Sequence, residues 1–70
     1  MNIQLQSNKM VNGDVTPVRE DEAEFYSLYV GEAGDYEWLA DFADLFWARS
    51  FGKLMAEASG YRYGETLTGE

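Results

Sequence analysis

Neither cysteine nor histidine occurs anywhere in this 70-residue chain. Disulfides, zinc sites and imidazole chemistry are therefore excluded, and only packing can hold a fold together. At this length a single core supplies no more than about 3–5 kcal/mol, so the apolar pattern decides what can form. Apolar residues make up 46% of the chain, with 4 Phe, 5 Tyr and 2 Trp, which suits a folded domain rather than a disordered acidic tail. No apolar run approaches the ~20 residues that span a bilayer. Met1-Asn2-Ile3-Gln4 lacks the basic and then apolar region of a secretion signal. The expectation is one cytoplasmic domain, residues 1–70.

Ile3 and Leu5 alternate with Gln4 and Gln6, the pattern of a short half-buried strand. Asn12-Gly13 is a strong turn dipeptide, and Pro17 confines Val15–Val18 to an edge strand or an extended loop. Residues 19–24 form either a solvated connection or the first turn of a short helix. Phe25–Val30 and Tyr36–Ala40 are rich in aromatic and β-branched residues and flank a Gly-containing turn, which predicts a hairpin. Strict alternation would put Tyr26, Leu28 and Val30 on one face, and Tyr36, Trp38 and Ala40 on one face of the second strand, with Glu37 and Asp41 opposed.

Asp41 is the expected N-cap of the helix that follows, with Asp44 in its first turn. Ala43, Trp47, Phe51, Leu54 and Ala58 recur at helical spacing, with Met55 at the edge of the arc, and are the expected buried stripe. Ser59-Gly60 supplies a stop. Gly52 lowers helix stability by about 1 kcal/mol relative to Ala and marks close packing or a mild weakness. Tyr61-Arg62-Tyr63 can form a last short strand, with residues 64–70 a frayed tail. The predicted class is α+β: a small antiparallel sheet, made of the hairpin and short flanking strands, with one amphipathic helix on a single face.

The charge of −8 is local. Glu20, Asp21, Glu22, Glu24, Glu32, Asp35, Glu37, Asp41 and Asp44 face only Arg19 within residues 19–44, and the flanking segments are each neutral. Such a field repels nucleic acid and anionic lipid and attracts basic protein surfaces. Paired acids invite a search for glycosidase or calcium chemistry, but neither spacing occurs, so no enzyme activity, metal or cofactor is expected. Carboxylates at i and i+2 of an extended chain, such as Glu22/Glu24 and Asp35/Glu37, lie about 6–7 Å apart, close to the phosphate repeat of a DNA strand. Leu45 and Phe46 project away from the expected buried arc and are candidate apolar anchors of an interface, or of a homodimer.

In size, acidity, lack of His and Cys, and the layout Tyr36-Glu37-Trp38-Leu39-Ala40-Asp41-Phe42, amphipathic helix, Ser59-Gly60-Tyr61, the chain resembles small phage-encoded inhibitors of bacterial defence, notably anti-CRISPR proteins. The resemblance implies a non-enzymatic inhibitor acting in the bacterial cytoplasm. Its carboxylates Glu20–Glu24 and Glu32–Asp44 would occupy a basic DNA-binding site of a CRISPR effector subunit, blocking target DNA or PAM recognition. The helix is balanced in charge after Asp44, which fits a local basic pocket better than mimicry of a whole duplex. A protein-interaction module or homodimer that uses the exposed apolar residues of the helix is the alternative.

Overall fold

The computed structural model describes residues 1–32 and 34–66. Strand β1 (Asn2–Val11) is longer than its apolar alternation alone announces, because it is flanked on both edges. Asn12 and Gly13, both at positive φ (52° and 86°), make the two-residue reversal that such turns favour. They lead into β2 (Asp14–Pro17), which pairs antiparallel with β1 from Val11↔Asp14 to Asn8↔Pro17. Pro17 has no N–H to donate and sits on this outer strand, as its chemistry requires. Residues 19–24 resolve into one 3₁₀ turn, Glu20–Glu22, between extended Arg19 and Ala23.

Strand β3 (Phe25–Glu32) covers the other edge of β1, and β4 (Asp35–Phe42) follows it antiparallel. Helix α1 (Leu45–Ser59) then leads to β5 (Arg62–Thr66), which pairs in parallel with Asn2–Gln6 on the edge of β1 that β2 also occupies further along. Strands β4 and β5 run in the same direction, so their link must cross the sheet. Helix α1 is that crossover. The chain is thus α+β, a five-stranded, mostly antiparallel sheet with one helix on one face. Gly64–Thr66 lie in β5 and not in a frayed tail, because β1 offers them an open edge; residues 67–70 are outside the described set.

Two local features depart from simple periodicity. Leu28 lies opposite Ala40 but Tyr29 lies opposite Trp38, so a bulge at Leu39 changes the parity of β4. Tyr36 and Trp38 therefore share a face with Gly31 and Tyr29, away from the helix, while Ala40 and Phe42 lie with Leu28 and Tyr26 on the helix side. The expected single face of Tyr36, Trp38 and Ala40 is broken by that extra residue. Pairing also continues to Phe42, which keeps Asp41 in the strand and makes Asp44, not Asp41, the N-cap.

The second departure concerns α1. Its buried residues are Ala48, Gly52 and Ala56, whereas Trp47 and Leu54 are exposed and Phe51 leans on Phe42 with ring centroids 5.5 Å apart. The buried face is turned by roughly 140° from the expected stripe, counting ~100° per residue. The cause is volume. Ile3, Leu5 and Leu28 are fully buried, and Tyr26, Val30, Leu39, Phe42 and Tyr63 pack around them, so the sheet already supplies the bulk. Only small residues let the helix approach: a Cβ on Gly52 would lie 2.7 Å from Tyr63 Cε1 and 3.0 Å from Leu28 Cδ2. Leu45 packs against this core and is not a free anchor, since it shares the inward side of α1 with Ala48 and Gly52. Gly60 closes the helix at φ 74°, its N–H shared between the carbonyls of Ala56 and Glu57.

Candidate functional site

Sequence proximity suggests one anionic field, but the fold divides it. The 3₁₀ turn joins β2, on one edge of β1, to β3, on the other, and its Glu20 lies 3.8 Å from Arg49 of α1, so the turn crosses β1 on the helix side. This places Glu20, Asp21, Glu22 and Glu24 at the Phe25 end of β3. Asp41, opposite Ser27, and Asp44 belong to the same end. Glu32, Asp35 and Glu37 gather at the other end, around the hairpin turn. Strand β3 has 8 residues, which at ~3.3 Å each span roughly 23 Å. That exceeds the screening length of about 8–10 Å in physiological salt, so Glu20–Glu24 and Glu32/Asp35 form two separate acidic poles, with Asp41 and Glu37 between them on opposite faces of β4.

The poles differ in what their carboxylates already hold. Near the 3₁₀ turn, Glu20 faces Arg49, Asp21 faces Arg19 at 3.7 Å, and Glu24 accepts the Met10 N–H at 3.1 Å. With Glu22 in the 3₁₀ turn and Glu24 beyond it accepting the Met10 N–H, Glu22/Glu24 is not the extended row the sequence suggested. Asp41 accepts the Ser27 hydroxyl at 2.5 Å and the Trp38 indole N–H at 2.9 Å. At the hairpin pole, Asp35 and Glu37 are exposed, and their carboxylates have no hydrogen bond or ion pair with a described residue. They stand two residues apart on the outermost strand, about 6.6 Å along it. Glu32 lies opposite Asp35, with the N-terminal ammonium 3.9 Å from its carboxylate.

The face of the sheet away from α1 is polar and cross-linked. Gln6 donates to Asn8 (2.7 Å), Asn8 to Ser27 (2.9 Å), and Ser27 to Asp41, which Trp38 reaches from the other side. Asn8 and Ser27 are fully buried, and this chain supplies the partners that burial demands. Next to it, a shallow depression of about 580 Å³ is lined by Gln4, Gln6, Tyr29, Tyr36 and Thr66. Sequence reasoning took Gln4 and Gln6 as the solvent side of a strand and did not see that Tyr29 and Tyr36 would join them. The hairpin register, Glu32↔Asp35 followed by Gly31↔Tyr36, puts Tyr36 on the side of Tyr29.

On the opposite side, Arg49 makes a two-pronged contact with Glu65 of β5 (2.7 and 3.1 Å), and the Tyr63 hydroxyl donates to the same carboxylate at 2.7 Å. Arg49's hydrogen bonds hold the Glu65 carboxyl below its usual range, and burial, followed by the bond to Glu65, pushes the Tyr63 hydroxyl up. Lys53 sits 5.9 Å above the Tyr63 ring. This group ties β5 to α1. Its charges are shared with solvent, so the pair contributes only about 1 kcal/mol or less. The outward face of α1 carries Phe46, exposed as expected, with Trp47 edge-on to it at 5.3 Å and Leu54 about two turns further on.

Among the described residues, no group of three or more acidic side chains converges on a metal-sized site, and no helix is long and apolar enough to cross a membrane. No protein-family model, curated protein or solved structure matches the chain.

Proposed function

We propose that the protein is a non-enzymatic inhibitor that sets the acidic turn of its β3–β4 hairpin into a cationic, nucleic-acid-binding site of another protein. There its carboxylates lie where phosphates otherwise would. The supporting observation is the state of Asp35 and Glu37. They share one side of an exposed edge strand at near-phosphate spacing and are not neutralised by the chain's own cations. Glu32 adds a third anion across the turn. The 3₁₀ pole is a weaker candidate because Glu20, Asp21, Glu24 and Asp41 are already engaged. By the resemblance drawn above, the partner is a DNA-binding subunit of a CRISPR effector, and the target is a local pocket such as a PAM-reading site. The protein then works in the cytoplasm of a bacterial host and needs no cofactor.

Attraction of this kind acts mainly on encounter and orientation, so it falls as salt rises. In a plasmid-interference assay, Asp35→Lys/Glu37→Lys is expected to abolish inhibition and weaken partner binding by about tenfold or more, while Glu22→Lys at the other pole keeps most of it. Circular dichroism should show both variants folded, because neither site packs in the core. Full inhibition by the folded hairpin variant would reject this reading.

A further inference from the structure

We infer that the outward face of α1 is where two copies of this chain meet. This goes beyond the hairpin reading and does not rest on it. Phe46, Trp47 and Leu54 are each 64% exposed, and Phe51 is 39% exposed, on a domain whose large, fully buried apolar side chains are Ile3, Leu5 and Leu28. The helix thus keeps its alanines and a glycine for its own sheet and offers its bulkiest apolar groups outward. Scattered single apolar residues on a surface need no explanation, whereas contiguous ones mark an interface.

Charge identifies the occupant. Between Leu45 and Ser59 the helix carries Arg49 and Lys53 against Glu57, a net charge of +1, which leaves −9 on the rest of a chain whose total is −8. A cationic partner drawn by that field is steered to the acidic poles and not to α1. An anionic partner finds little free cationic surface on α1, because Arg49 is already held by Glu65 and Glu20. A second copy brings the same near-neutral apolar helix face, and a twofold contact through it places the two sheets on the outside. Two helix layers separate the sheets by roughly 20 Å or more, beyond the screening length of about 8 Å. Glu20, which does reach α1, is paired there with Arg49.

The four side chains offer on the order of 450 Å² per copy, taking 150–250 Å² for a whole aromatic side chain. With Ser50 among them and Lys53 and Glu57 at the rim, the contact reaches the low end of the range for specific interfaces, about 1,200 Å² in total. A weak, reversible dimer is the expectation at that size, carrying two acidic hairpins on one particle.

Sedimentation velocity of the full chain from ~1 to ~200 μM, a range suited to a weak, reversible dimer, tests this. The expected result is a mass that doubles with concentration, and stays monomeric in Leu54→Glu and, separately, in Trp47→Ser. In a Trp38→Phe background, the Trp47 emission should shift to the blue over the same range. A monomer throughout would overturn the inference, as would a dimer that survives both substitutions. A monomer whose inhibitory activity disappears with Leu54→Glu would also overturn it, and would assign the face to a different protein.

Discussion

Replacing Gly52 with valine lowers the unfolding temperature by about 10–20 °C, taking 4–8 °C per kcal/mol for a domain of this size. Glycine inside a helix is ordinarily a weakness, and alanine there would gain about 1 kcal/mol of helix propensity, β-branched valine only about 0.4 kcal/mol. Here the opposing contact is larger. The first added carbon already meets Tyr63 Cε1 at 2.7 Å and Leu28 Cδ2 at 3.0 Å. Leu28 is fully buried, and the Tyr63 ring is anchored through its hydroxyl to Glu65, so neither yields cheaply. Two further methyls force α1 off the sheet, and overpacking of this kind costs about 1–3 kcal/mol or more. Since the whole domain is held by only about 3–5 kcal/mol, most of its stability is lost. A thermal melt of Gly52→Val that equals or exceeds the native midpoint would show that the helix does not sit this close.

The second large effect comes from leucine and depends on which leucine is changed. Leu28→Ala empties the centre of the core beside Ile3, Leu5 and Ala48 and is expected to cost about 3 kcal/mol. Leu54→Ala removes an exposed side chain of the same type, and in dilute solution should change stability by no more than about 0.5 kcal/mol. Urea unfolding at low protein concentration measures both. Equal losses would mean that Leu54 is buried after all.

The leucine contrast bears on how far the fold can be read from the sequence. The hairpin, the Asn12-Gly13 reversal, the edge position of Pro17 and the Ser59-Gly60 stop were legible because each rests on a local backbone preference. The bulge at Leu39 was not legible. One additional residue in β4 changes which side chains share a face, yet leaves no mark on composition. The helix misled for a different reason. Trp47, Phe51 and Leu54 form a strong apolar stripe, and hydrophobic periodicity weights large residues, while Ala48, Gly52 and Ala56 at four-residue spacing look neutral. That small-residue spacing was the available signal for close packing. In the candidate site, the nine carboxylates are contiguous in sequence, and only the length of β3 separates them into two poles. Which of them stay unneutralised depends on Arg49, Arg19 and the Met10 N–H, contacts that sequence distance conceals.

The orientation of α1 underlies both the compact core and the outward aromatic face, and it can be read directly because the native chain has no cysteine. Single cysteines at Leu54→Cys and Ala48→Cys, assayed with a thiol reagent at dilute protein concentration, are expected to differ sharply. The first should react nearly as fast as a free thiol, and the second about 100-fold or more slowly, since its reaction must await opening of the fold. Rapid labelling of Ala48→Cys together with protection of Leu54→Cys would place the large stripe inward and contradict this structure.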